Sequence, residues 1–327
     1  KRMKKIITYL LAGILIIGVF SACAHTGSGK QAAPKKLSII CTIFPEYDWV
    51  REILGDHAED ADLSILLDNG VDLHSYQPTA DDLVRIANCD LFLYIGGESD
   101  SWVSDALQKA TNQNMIAMNL LKILGDAAKE EEVVEGMDVG DHIHDEAHED
   151  TPEYDEHIWL SLKTAKTLCT AIAEKLSSLD PDHAADYAAN AQRYIAKLTD
   201  LDTRYQQTVD ASKQKTILFG DRFPFRYLSD DYGLTYYAAF AGCSAETEAS
   251  FETIVFLAKK VDEQNLSSVL TIEGANHKIA ETIIQNTKDK NQTVLSLNSM
   301  QSITSQDAKS GVTYLSVMES NLGVLKR

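Results

Sequence analysis

His74 and His157 are the residues of this chain best placed for metal chemistry. His74 lies in a turn-rich loop, residues 68–78, after the strand-like run 63–67. Open α/β sheets bind ligands at the C-terminal ends of their strands, and a neutral imidazole there offers a ring nitrogen to a metal. His157 stands directly before the apolar run Ile158-Trp159-Leu160. Taken singly, a surface histidine is the simpler reading of each. Together they give one half of the chain a pair of imidazoles, a donor set that suits zinc and other transition ions better than magnesium or calcium. His142, His144 and His148 form a further short tract of the kind that binds metal, with a solvated acidic linker as the alternative. The chain has no His-Glu-x-x-His, no phosphate loop and, around Gly242-Cys243-Ser244, no nucleophile elbow. The pattern is that of a binding protein rather than an enzyme.

The elements that must position these residues alternate at short intervals. Strand-like runs at 37–44, 63–67, 90–95 and 115–119 are separated by helical stretches at 47–54, from Thr79 onward, and at 102–109. A second series follows, with strands at 216–219, 235–240, 268–272 and 293–297 and helices at 223–232, 251–264, 276–286 and 313–325. Such alternation signals βα units and mostly parallel sheets. Between the two series, Ser161 caps a helix to about residue 177, and a second helix runs from Pro181 to about Ala211. At 1.5 Å per residue that helix is roughly 45 Å long, enough to join two lobes. The expected fold is therefore α/β: two βα lobes with mostly parallel sheets, joined by a long connecting helix, with the metal site in the cleft. The lobes are placed at 37–178 and 213–327, the connecting helix at 179–212. Residues 126–156 carry fourteen acidic side chains against one lysine, so this stretch of the first lobe is expected to be a solvated, mobile, His-bearing loop.

The N-terminus addresses the compartment. Lys1, Arg2, Lys4 and Lys5 precede an apolar run, 6–20, and then Ser21-Ala22-Cys23. A basic start, a short apolar stretch and small residues before a cysteine read as a lipoprotein signal peptide over 1–22, too short to span a membrane. Cys23 is then the lipidated first residue of the mature protein, and 23–36 a flexible tether. The net charge of −19 disfavours nucleic acid, whose backbone is polyanionic, and attracts cations. Cys41, Cys89, Cys169 and Cys243 form no CxxC pair. They read as buried thiols, with a Cys41–Cys89 disulfide as the alternative in an oxidising compartment.

Gly70-Val71-Asp72-Leu73-His74-Ser75-Tyr76-Gln77-Pro78 and Asp155-Glu156-His157-Ile158-Trp159 resemble, in order and spacing, the two metal motifs of the zinc/manganese family of ABC-importer solute-binding lipoproteins. Glu156 departs from the proline usual in the second motif. The resemblance implies capture of Zn2+, with Mn2+ as the alternative, and delivery to the membrane permease by a monomer. That monomer would be lipid-anchored outside the bacterial cytoplasmic membrane. It implies ligands from the second lobe as well. Asp221 falls near the third ligand position, one residue out when the later Tyr-Gly is aligned, and reads equally as a helix cap or an arginine partner. The usual late Asp is replaced around Leu297-Asn298-Ser299, so His277 is the substitute, with Glu273 orienting an imidazole or ligating directly. Three imidazoles and one carboxylate lean to zinc. A surface adhesin and an extracellular zinc hydrolase are the remaining alternatives.

Overall fold

The computed structural model describes residues 36–138, 153–244, 248–274 and 276–327. The signal segment, Cys23, and the tract bearing His142, His144 and His148 lie outside the described residues. Among the described residues, eight strands form two four-stranded sheets, parallel throughout. The first contains β1 (Leu37–Cys41), β2 (Ala61–Ile65), β3 (Leu91–Tyr94) and β4 (Ile116–Asn119), in the order β2-β1-β3-β4. The second contains β5 (Thr216–Phe223), β6 (Thr235–Ala241), β7 (Ser268–Ile272) and β8 (Thr293–Leu297), in the matching order β6-β5-β7-β8. Two lobes of one topology thus succeed each other along the chain.

The helices are α1 (Phe44–Leu54), α2 (Ala80–Asn88), α3 (Val103–Gln108), α4 (Leu120–Leu124), α5 (Leu162–Leu179), α6 (Ala184–Ala211), α7 (Arg226–Tyr232), α8 (Phe251–Gln264), α9 (Lys278–Gln285), α10 (Ser305–Lys309) and α11 (Tyr314–Leu325). Several starts follow from single side chains. Thr79 caps α2 in a reciprocal box with Asp82, and Ser161 caps α5 through the amides of Lys163 and Thr164. Pro45 opens α1 rather than separating a strand from a later helix, because a proline in the first turn forfeits no helical hydrogen bond. Glu46 then reaches back to the Thr42 and Ile43 amides at 2.7 and 3.4 Å.

The 28-residue helix α6 measures about 42 Å at 1.5 Å per residue and touches both lobes. Asn190 donates to the Ile53 carbonyl in α1 at 2.9 Å, and Tyr205 donates to the Met318 carbonyl in α11 at 2.6 Å. The final helix α11 returns to the first lobe, where Tyr314 N donates to Asp48 (2.8 Å) and its ring meets Trp49 edge-on. One apolar core accordingly runs through both lobes, from Ile39 and Phe92 to Phe219 and Met318. A smaller cluster lies beneath α8 and α9 on the far face of the second sheet.

The start of the acidic segment is largely exposed or half-buried, yet it is tied to the second lobe. Residues 126–138 run onto the second lobe: Asp138 N donates to Ala239 O (2.8 Å), and Tyr236 donates its hydroxyl to Glu132 (2.7 Å). The reason is the edge position of β6, whose outward backbone groups need partners. Cys41, Cys89, Cys169 and Cys243 are all free thiols.

Candidate metal centre

The loops that follow the strand ends of both sheets meet, and His74 and His157 sit where they do. The single turn Leu73–Ser75 is capped by Asp72, whose carboxylate accepts from the His74 amide at 3.0 Å. His157 is fully buried. Its approach is fixed by backbone pairing, with Glu131 N donating to Glu153 O and Asp155 N to Lys129 O, each at 2.8 Å. Tyr227 of α7 donates its hydroxyl to the Asp155 carbonyl at 3.0 Å. Beyond His157, Trp159 donates its indole N–H to Ser299 O (2.8 Å), tying the motif to the loop after β8.

The two Nε2 atoms stand 3.2 Å apart. The tautomer of His157 follows from its opposite ring nitrogen. His157 Nδ1 lies 3.0 Å from Asp155 Oδ1, and an ionised carboxylate only accepts, so the proton is on Nδ1. His74 Nδ1 lies 2.8 Å from Ser99 Oγ and 3.5 Å from Glu156 Oε2, a buried oxygen with no hydrogen bond of its own. Glu156 is held there by the Ser99 amide, which donates to its Oε1 at 2.8 Å. With Nδ1 protonated, His157 turns its Nε2 lone pair towards His74 Nε2. Burial, then the neighbouring His157, push the His74 imidazole down to about 3, so it is neutral at ordinary pH. Burial also pushes the Glu156 carboxyl up.

Two nitrogens at 2.0–2.1 Å from a tetrahedral zinc are about 3.3 Å apart, close to the spacing found here. An Nδ1–H held by a carboxylate is the usual support for a metal-ligating histidine.

A third donor joins them. His74, His157 and Cys243 place one ligand atom each within 4.8 Å of the others. Cys243 follows β6 directly, and Gly242 before it lies against the His157 ring. A Cβ at Gly242 would stand 3.1 Å from His157 Cε1 and Nδ1 and 2.9 Å from Phe223 O. Burial, then Glu131 and Asp155, push the Cys243 thiol up.

The second-lobe residues expected from sequence are placed differently. Asp221 sits in the β-bulge of β5 between Phe219 and Arg222. Its carboxylate accepts from Arg222 N at 2.8 Å and from Ile272 N at 3.3 Å, satisfying amides that the bulge leaves outside the ladder. His277 caps α9 from a left-handed backbone position, and its Nδ1 is 3.0 Å from Thr271 Oγ1. Glu273 faces the loop after β8: it accepts from Ser299 N and Ser299 Oγ at 2.6 and 2.8 Å. Through Ser299 it shapes the loop carrying Gln301, whose buried side-chain amide lies 3.4 Å from His157 Nε2. None of the three belongs to the His74–His157–Cys243 cluster.

Arg222, one residue beyond Asp221, donates to Asp72 at 2.6 Å and to the Ser244 carbonyl at 3.3 Å. One guanidinium so fastens the His74 loop and the Cys243 loop together. Burial pushes the Asp72 carboxyl up, and Arg222 outweighs it, so that the group stays below the usual carboxylate range. The sequence reads Cys243 as a buried thiol, although the rule that singled out His74, position just after a strand, applies to it equally.

Comparison with known proteins agrees with this architecture. A family model described as zinc-uptake complex component A, periplasmic (ZnuA), matches residues 39–327. The chain is 32% identical over 329 residues to the zinc-binding lipoprotein AdcA of Streptococcus pneumoniae, covering 99% of this chain and 61% of that protein. It thus spans about three-fifths of the length of that relative. It is 28% identical to the high-affinity zinc uptake system protein ZnuA of Bacillus subtilis, with 96% of each chain covered. The crystal structure of the Zn(II)-bound ZnuA-like domain of Streptococcus pneumoniae AdcA superposes with a TM-score of 0.68 at 29% identity, covering 89% of this chain and 98% of that one. The chain belongs to the periplasmic zinc-uptake complex component A family.

Proposed function

We propose that this chain is the extracytoplasmic solute-binding component of an ABC importer, capturing Zn2+ between its lobes and delivering it to the permease. The observation that carries the reading is the pair of imidazole Nε2 atoms 3.2 Å apart, with His157 Nδ1 held by Asp155 and His74 Nδ1 beside Ser99. That spacing matches the edge between two nitrogen ligands of a tetrahedral zinc. Nitrogen donors favour zinc over manganese, which prefers oxygen. The names of the relatives, a zinc-binding lipoprotein and a zinc uptake protein, point the same way.

In this reading the helix α6 is a stiff spine and the cross-lobe contacts at Asp72, Trp159 and Asp68 limit hinge opening. Release to the permease then proceeds by small lobe shifts and loop rearrangement rather than wide closure. Lipidation at Cys23 holds the monomer on the membrane, and His142, His144 and His148 raise the local zinc supply. The test is competition for zinc with a chromophoric chelator. Wild type is expected to strip zinc from the chelator, and His74→Ala and His157→Ala to fail. Retention of tight binding by both variants would overturn the assignment.

A further inference from the structure

We propose that Cys243 is the third metal-ligating side chain, so that the second lobe contributes a thiolate and the site closes as His74–His157–Cys243. The inference rests on the zinc-capture reading and names the donor that reading lacks.

Zinc takes at least three protein ligands in stable sites, and the first lobe supplies two. The second lobe must offer the rest, and its other candidates are engaged elsewhere. Asp221 satisfies the bulge amides, and His277 faces Thr271. Arg222, carrying a fixed positive charge, has no lone pair to give.

Cys243 is delivered to the imidazoles by its surroundings. Its own amide donates to Glu131 Oε1 at 2.9 Å, and the next carbonyl accepts from Arg222 at 3.3 Å. Gly242 permits the strand end to lie on the His157 ring, where a side chain would crowd both Phe223 O and the imidazole. With zinc–sulfur bonds of about 2.3 Å and zinc–nitrogen bonds of about 2.0–2.1 Å, donor edges are roughly 3.3–3.6 Å. The observed spread, within 4.8 Å, closes to that by side-chain movement of about an ångström. On binding, the S–H bond is replaced by a metal–sulfur bond and the proton leaves to solvent. A thiolate is a soft donor, which strengthens selection of zinc against manganese.

The test is titration of the full chain with Co2+, monitored by absorption in the near ultraviolet, where sulfur-to-cobalt charge transfer appears. Wild type is expected to show the band. Cys243→Ser is expected to lose it and to weaken zinc by more than about a hundredfold, beyond the loss typical for an outer partner of a ligand. Cys169→Ser, altering a buried thiol within α5, is expected to keep both, and melting curves check that each variant folds. Cobalt binding by wild type without the band, or a band that survives in Cys243→Ser, would overturn the thiolate assignment while leaving metal capture standing. Failure of wild type to bind either ion would overturn both.

Discussion

Arg222 and Asp72 form an ion pair of 2.6 Å that crosses from the second sheet to the loop bearing His74. Asp72 in turn holds the His74 amide, and Arg222 also holds the carbonyl after Cys243. The pair therefore ties the loop bearing His74 to the loop bearing Cys243.

Arg222→Ala should weaken zinc binding by about 1–2 kcal/mol, the scale of a partly exposed charge-assisted hydrogen bond. Arg222→Lys should recover only part of this, because an ammonium cannot reach two acceptors with a planar fork. Calorimetric titration of both variants checks it, and equal affinity in Arg222→Ala and wild type would remove the clamp from the account.

Asp221→Ala and His277→Ala separate ligation from support. Asp221→Ala should keep one tight zinc site and lose about 1–3 kcal/mol of stability, as buried amides lose their acceptor. His277→Ala should leave the tight zinc site in place, since among the described residues its Nδ1 is paired with Thr271 of its own sheet. Loss of the tight site in either variant, in equilibrium dialysis, would return that residue to the ligand set.

These two residues also mark how far the sequence could be read. The alternation of strands and helices, the caps Thr79 and Ser161, and the long helix follow local rules and were legible. His74 and His157 were legible because each lies in a contiguous motif. The placement of Asp221 and Arg222 was not, because it depends on one bulge. The one extra residue within Gly220–Asp221 turns Asp221 back onto the backbone and sends Arg222 across to Asp72. No linear pattern signals a bulge of that kind. The ordering of residues 126–138 was hidden for a related reason, since pairing with an edge strand depends on partners a hundred residues away.

A buried acid in the first lobe should give stability a distinct pH dependence. Burial, then the neighbouring Asp100, push the Glu46 carboxyl up to about 8, while its Oε1 has no partner. The folded state thus prefers the protonated form. Its contribution is full below the usual carboxylate range and is lost as pH rises towards 8, at up to roughly 1.4 kcal/mol per pH unit. Glu46→Gln should therefore melt progressively higher than wild type as pH is raised from 5 to 8. A constant difference across that range would show that Glu46 is ionised in the fold.

The histidine tract outside the described residues makes a separate prediction. Replacing His142, His144 and His148 together with alanine should abolish weak zinc sites and leave the tight one. Disappearance of the tight site in that variant, followed by calorimetry, would place the capture site in the tract instead of between the lobes.

The most direct test of the central claim is calorimetric titration of the metal-free, unlipidated protein with zinc and then manganese, in parallel with His74→Ala and His157→Ala. One tight zinc site per chain, weak manganese binding and loss of the tight site in both variants is the expected result. Tight manganese binding with weak zinc, or tight zinc binding that survives both substitutions, would contradict it.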